Sequence, residues 1–513
     1  MRCSFIAGCI LALWLCSAST AAAQAFIPKR ELRAVWVATV NNIDYPRFPK
    51  PDPASLQAEY LQLLDGFQAL GINTVILQVR PAGDAFYPSR YAPWSAFLTG
   101  KQGLAPEGDF DPLAFYVKKT HERGMEFHAW LNPYRATTGL DTLSLAPSHV
   151  FHQHRDWLLC YGDQLYFNPA RPEVRQHLFD IVTELLENYD IDAVHFDDYF
   201  YPYKVPGENF PDSTEYRRFR NGFTDIGDWR RDNTNRLVQG LAERIRSIRP
   251  HVRFGISPFG VWRNADTDPE GSLTRAGATS YDDLYADIRH WLFQGWIDYV
   301  APQLYWHGGF ELADFRTLLQ WWGTNSYGRQ LYIGHAAYKV GNNAQAAWDD
   351  PGELPRQVRL TRLNEASSGS VFFRAANLFV NPLGVADSLK QLYRYPALLP
   401  ASAGPFSSQL HAPQLRKARR RGKGVRISWR PAEADADNPP AYYVVYRFRI
   451  LDGPDFNHPK HIAHISPIGI EGGKFEYIDK EVTPNTLYMY AVTAVNRYHV
   501  ESPPSKGAMV RAR

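Results

Sequence analysis

Between residues 32 and 375, short apolar runs alternate with amphipathic helical patterns eight times over, and few folds accept so long a succession of β–α units. The strands are read at 32–39, 73–79, 126–132, 193–198, 253–258, 299–305, 331–338 and 369–374. Helical spacing joins Leu56, Tyr60, Leu64 and Phe67 ahead of the second strand. It joins Val174, Leu178, Ile181, Val182 and Leu185 ahead of the fourth, and Leu237, Leu241 and Ile245 ahead of the fifth. Gly71, Gly124 and Gly295 stand near helix ends, where a left-handed residue is cheapest. The expected class is α/β, a (β/α)8 TIM barrel. A doubly wound open sheet would carry a glycine-rich loop after its first strand, and Val37-Ala38-Thr39-Val40-Asn41 has none.

A chain of 513 residues exceeds one ordinary core. The pattern changes near residue 395, where a Pro/Ala/Ser-rich run at 396–405 reads as a linker. Period-two alternation follows at 425–429, 442–447 and 487–495, the mark of a small all-β sandwich. Trp429 at a core position, Tyr488 at a corner and a closing hairpin over 496–502 make this part resemble a fibronectin type III domain. The expected division is a signal peptide over 1–25, the barrel over 26–395, a linker over 396–410 and the fibronectin III-like sandwich over 411–513. The basic run from Arg416 to Lys423 reads as a solvated strand edge, with contact to an anionic envelope polymer as the alternative.

Arg2, the apolar stretch from Phe5 to Leu15 and the small residues around Ala23 form a cleavable leader. That stretch is too short to span a bilayer, and no later segment is long enough either. Cys3, Cys9 and Cys16 fall in the leader, leaving Cys160 as the one thiol of the mature chain and excluding an internal disulfide. Export without disulfides fits a bacterial periplasm or cell envelope. A net charge of +3 is small for this length and argues against nucleic acid as a partner.

Polar residues gather where the strands end. Gln78 and Arg80 close the second; His128, Trp130 and Asn132 the third; His195 and Asp197 the fourth. Ser257, Gln303 with Tyr305, Tyr338 and Arg374 follow on the fifth to the eighth. Most share one parity within their strand and so point to one face. A barrel builds its active site at that rim. The sharpest feature is Phe196-Asp197-Asp198-Tyr199-Phe200-Tyr201, two neighbouring carboxyl groups wrapped in aromatics. Adjacent acids repel when both ionise, so their pKa values separate and one stays protonated, as acid/base chemistry requires. Trp130, Tyr199, Tyr201, Trp262, Tyr305 and Trp306 offer stacking faces for sugar rings.

No Glu ends another barrel strand, so a pair of glutamates on separate strands is not expected. Side-by-side acids suit a substrate-assisted route, in which one carboxylate orients a 2-acetamido group and the other serves as acid and base. By analogy with hexosaminidases of that kind, Asp197 would orient and Asp198 would be the acid/base, with the reverse assignment left open. The conventional alternative pairs Asp197 with Asp84, Glu208 or Asp266 on a loop. His128, His195 and Asp197 are metal-ligand types, but a third histidine at useful spacing is missing, so neither metal nor cofactor is expected.

Ordered motifs then run through the barrel: Arg33-Ala34-Val35-Trp36-Val37, Gln78-Val79-Arg80-Pro81, His128-Ala129-Trp130-Leu131-Asn132-Pro133-Tyr134-Arg135, the Asp197-Asp198 segment, Gly260-Val261-Trp262-Arg263-Asn264, Gln303-Leu304-Tyr305-Trp306 and Tyr338-Lys339-Val340-Gly341. Across residues 30–395 the chain resembles the glycosyl-hydrolase-like family 10 proteins. The resemblance implies a glycosidase of the bacterial envelope that cuts peptidoglycan glycan strands stripped of stem peptides, with Arg263 and Tyr338 joining the sugar-binding set. A related N-acetylated glycan, another polysaccharide, or a non-catalytic glycan-binding role are the alternatives. The family includes a lipoprotein. This leader has no suitable anchor cysteine, and the sandwich is an addition.

Overall fold

The computed structural model describes residues 27–402, 410–435, 440–468 and 475–512. The signal-peptide reading over 1–25 and residues 403–409 of the linker lie outside the described residues.

Eight parallel strands close a barrel. They are β1 (Leu32–Val37), β2 (Thr74–Arg80), β3 (Glu126–Leu131), β6 (Ala193–Phe196), β7 (Arg253–Ile256), β8 (Tyr299–Val300), β9 (Gln330–Ala336) and β10 (Ser367–Phe373). Each pairs with the next in the chain, and closure comes from the β1–β10 register Leu32↔Gly369 to Val35↔Phe372. A short antiparallel hairpin, β4 (Leu158–Tyr161) and β5 (Gln164–Phe167), interrupts the βα rhythm after β3.

Alternation sorts the strand residues. Val35, Val75, Phe127, Val194 and Phe254 face outward and pack with helix residues such as Leu64, Leu178, Leu241 and Trp322 into the main core. Trp36, Ile76, Tyr299 and Tyr332 face inward. Asp52, Asp111, Asp225 and Asp314 cap helix N-termini by accepting backbone N–H bonds. Gly71, Gly124 and Gly295 adopt positive φ of 77°, 69° and 67°, as their places after helices require.

The C-terminal part forms two antiparallel sheets. One orders β11 (Gln414–Arg421), β12 (Gly424–Arg430) and β15 (Glu476–Asp479). The other orders β14 (Ile462–Ile465), β13 (Tyr442–Arg449), β16 (Leu487–Val495) and β17 (Ala508–Arg511). Trp429 is buried among Tyr443 and Val445, and the Tyr488 hydroxyl accepts from the Thr483 N–H at 3.0 Å. The cations of β11 stand exposed. This part is seated on the N-terminal end of the barrel. Arg30 bridges to Leu398, Lys29 pairs with Glu501 at 2.7 Å, and Arg497 pairs with Asp190 at 2.6 Å.

Candidate active site

Strand β6 delivers the carboxyl pair. His195 faces inward, and the strand stops after Phe196. The chain then turns, with Phe200 N–H donating to the Asp198 carbonyl at 3.0 Å. Ending the strand here lets two consecutive side chains reach the rim, which an uninterrupted strand would send to opposite faces. Both acids are nearly fully buried, Asp197 at 3% and Asp198 at 5% exposure.

Their partners differ. Asp197 accepts from N–H groups: Trp130 Nε1 at 3.1 Å, Asn132 Nδ2 at 3.2 Å and the Tyr199 amide at 3.4 Å. Asp198 accepts from the Tyr203 hydroxyl and the Gln303 side chain. Burial raises the Asp197 pKa to about 7, the charge of Asp198 adds to the rise, and Arg135 opposes it. Burial also raises Asp198, against the bonds from Tyr203 and Gln303. Among the described residues neither acid has an ion-pair partner within bonding distance, and that is why burial dominates.

Several groups hold this geometry. Arg80, fully buried, donates to the Asn132 carbonyl at 2.8 Å, and Asn132 Oδ1 accepts from Arg135 N at 3.0 Å. The Arg135 guanidinium lies 4.6 Å over the Tyr199 ring and donates to the Pro81 carbonyl at 3.3 Å. Gln303 Nε2 donates to the Ser257 carbonyl at 2.9 Å, tying the ends of β7 and β8 together.

Aromatic rings pass edge-to-face around the mouth. Tyr199 meets Tyr203, which meets Phe259, which meets Trp306. Beyond them Tyr305 meets Tyr338 and stacks on Phe373 at 6.1 Å. Half-buried rings at a barrel mouth can cover the apolar faces of sugars.

Not every residue named from the sequence joins this cluster. Asp197, Asp198, Trp130, Asn132, Tyr199 and Gln303 come together directly, with Tyr305, Trp306 and Tyr338 in the aromatic belt. Gln78 serves the backbone, its Oε1 accepting from Thr39 N and Val40 N. Tyr201 packs into Phe210 and Tyr285. Trp262 stacks on Trp321 and donates to Asp287, while Arg263 is spent on Asp268 and Asp282. His195 lies inside the barrel below Asp197, and His128 lies deeper still, bonded to Glu126. The loop acids Asp84, Glu208 and Asp266 accept bonds within their surroundings, from Gln102, Gly162 N and Thr267 respectively.

Sequence reasoning missed Arg135 and Tyr203 as neighbours of the pair. It also missed Asp44, a buried acid that accepts from Ala38 N and Ala376 N and whose pKa burial raises to about 6. All three stand on loops, where neither strand nor helix period applies. The tyrosine-rich run from Tyr199 to Tyr203 was the one available signal. Among the described residues no group of three His, Cys, Asp or Glu is placed to hold a metal ion.

A closed parallel barrel carries a buried acid pair at its C-terminal mouth, and comparison with known proteins gives its class. Residues 31–350 match the family described as Glycosyl hydrolase-like 10. The chain belongs to that family and is a glycoside hydrolase. It is 44% identical over 484 residues to Glycosyl hydrolase YngK of Bacillus subtilis (strain 168), covering 93% of each chain. It is 41% identical over 366 residues to Glycosyl hydrolase DigH of Escherichia coli (strain K12), covering 67% of this chain and 82% of DigH. The solved glycoside hydrolase domain of PgaB (BpsB) from Bordetella bronchiseptica aligns with 71% of this chain and 99% of its own, at 15% identity and a TM-score of 0.43.

Proposed function

We propose that this enzyme, exported to the bacterial periplasm or envelope, cleaves peptidoglycan glycan strands stripped of stem peptides, or a related N-acetylhexosamine polymer, through Asp197 and Asp198. The observation that supports this most is two adjacent buried carboxyl groups with different partners and raised pKa values. Such a pair holds one proton between its members near neutrality.

The route is substrate-assisted. With a sugar seated in the mouth, its acetamido N–H donates to Asp197, adding a hydrogen bond to the charged form and lowering that pKa. The shared proton then rests on Asp198. The acetamido carbonyl oxygen attacks the anomeric carbon, the glycosidic bond breaks, and Asp198 gives its proton to the leaving oxygen. Water then attacks the anomeric carbon, losing a proton to Asp198 and restoring the acetamido group. Trp130 and Asn132 hold Asp197 in place throughout, so little reorganisation is needed as charge develops.

Leaving-group dependence tests the roles. Asp198→Asn should lose far less activity on aryl glycosides of N-acetylglucosamine oligomers, whose leaving group needs no proton so that only the water step suffers, than on glycan strands. Asp197→Asn should lose both. Equal losses on both substrates in the two variants would contradict the assignment. The exposed cations of β11 suit a solvated strand edge, with contact to an anionic envelope polymer as the alternative. On that alternative, replacing Arg419 and Arg421 by Glu should reduce co-sedimentation with cell walls without changing turnover of free oligosaccharides, and unchanged co-sedimentation would remove that role.

A further inference from the structure

A hydrogen-bonded column runs down the barrel axis from the layer beneath the carboxyl pair to the C-terminal domain. At its top, Trp36 Nε1 lies 3.1 Å from His195 Nε2, and Ser257 Oγ lies 2.9 Å from the same nitrogen. His195 Nδ1 and His128 Nδ1 both meet the Tyr299 hydroxyl, at 2.9 and 3.0 Å. His128 Nε2 meets Glu126 Oε2 at 3.0 Å, and Arg253 pairs with that same oxygen. Glu126 Oε1 meets His499 Nε2 at 2.6 Å. His499 belongs to the C-terminal domain and is 373 residues distant in sequence.

The donors fix the direction. An indole N–H can only donate, so His195 Nε2 accepts and its proton sits on Nδ1. Nδ1–H donates to Tyr299, which frees the phenolic proton for His128 Nδ1. His128 Nε2 then faces both Glu126 Oε2, at 3.0 Å, and the Arg253 guanidinium, at 3.1 Å, and donation to Glu126 is the direction that continues the column. Both imidazoles are neutral in this arrangement, in keeping with burial lowering both their pKa values. Gly255 makes room for the central Tyr299, because a Cβ there would collide with its ring.

The far end is held as deliberately. His499 adopts a left-handed backbone, φ 59°, which is costly for a residue other than glycine. Asn496 Oδ1 braces that turn by accepting from Tyr498 N at 2.9 Å and Val500 N at 3.0 Å. Arg30 donates to the His499 carbonyl at 2.9 Å, and Tyr442 lies 3.3 Å from its Nδ1. At Glu126, burial pushes the pKa up, and Arg253 and His499 together overcome it and hold the carboxyl well below its usual range.

We infer that the C-terminal domain completes the hydrolase barrel and that His499 is a positioning residue for the reaction, fixing through Glu126 the direction of the axial column on which strand β6 and its carboxyl pair rest. Without His499, one Glu126 oxygen is buried unpaired and one of the two groups that oppose its protonation is gone. A protonated Glu126 donates to His128 instead of accepting, a direction that Trp36 forbids at the other end. The inference rests on the pair being the catalytic centre.

The experiment uses the full chain and an oligosaccharide that the wild type hydrolyses. His499→Asn suits the left-handed backbone but is too short to reach Glu126. His499→Gln restores a donor of sufficient length. Arg497→Gln breaks a neighbouring interdomain contact outside the column. We expect His499→Asn to lower kcat about tenfold with KM within twofold, and to alter the ring ¹⁵N signals of His195 and His128. His499→Gln should recover most of the rate, and Arg497→Gln should lower Tm while leaving kcat alone. An unchanged kcat in His499→Asn, or an equal loss in Arg497→Gln, would make the contact a fastener only and overturn the inference. Wild-type activity surviving in Asp198→Asn would instead count against the catalytic pair, so the two failures are distinguishable.

Discussion

At the C-terminal mouth of the barrel, Asp197 and Asp198 meet indole, amide and phenol donors, and neither has an ion-pair partner among the described residues. At the opposite end, Glu126 and Asp192 meet Arg253, His499, His121 and Arg497. All four acids are buried. Burial raises the first two, whereas neighbouring cations outweigh burial and lower the second two. Equal burial with and without a countercharge therefore separates acids that can take up and release protons near neutrality from acids that serve as fixed anchors. On the proposed assignment the mouth accepts electrostatic cost for reactivity, while the base spends its charges on contacts between the barrel and the C-terminal sheets.

The largest effect should come from the mouth. Asp198→Asn should cut glycan hydrolysis by about 10²–10⁴ while leaving Tm within a few degrees, measured by product release and calorimetry. Near-wild-type turnover would erase the contrast. At the base the signs exchange. Glu126→Ala leaves Arg253 buried without its main anion and should cost about 3–5 kcal/mol, seen as a large fall in Tm. A Tm close to wild type would mean that the base is not an anchor.

The pH dependence sharpens the comparison. In the proposed mechanism the reactive form of the free enzyme holds one proton on the pair, so kcat/KM should fall as pH rises through about 7, where Asp197 loses its proton. Tyr203→Phe removes a bond to charged Asp198 and should move that alkaline limb upward. An unshifted limb would detach Tyr203 from the titration.

The smallest effect concerns stability. The folded pKa of Asp197 is raised, so its favourable contribution is complete below its unfolded value of about 3.9 and is lost as pH rises through about 7. Asp197→Asn escapes that loss. Its Tm should exceed wild type by about 1–3 °C at pH 8, and the gain should vanish near pH 4. A variant less stable than wild type at pH 8 would show that the N–H donors around Asp197 outweigh its burial.

The barrel was legible because its strands are apolar runs bounded by turn residues, and all eight begin within two residues of where the pattern sets them, although the run read over 299–305 pairs as a strand only at Tyr299–Val300. The β4–β5 hairpin was not, since four-residue strands on a loop leave too short an alternation to read. Parity found the inward-facing side chains but could not give their depth. Hence His128 and His195 were grouped with the rim, although they form the column beneath it. Trp262, Arg263 and Tyr201 illustrate a second limit, for nothing local tells a loop aromatic that packs its own loop from one that lines a groove. The Glu126–His499 contact was the least accessible of all. It joins a strand start to a distant hairpin turn, and no periodicity links residues across a domain interface.

The central claim is that the paired acids at the mouth hydrolyse an N-acetylated glycan. Mass spectrometry of products from purified peptidoglycan strands, with and without stem peptides, tests it most directly when wild type and Asp198→Asn are run side by side. The account predicts oligosaccharides released from peptide-free strands by the wild type alone. Release by both proteins, or by neither, would contradict it.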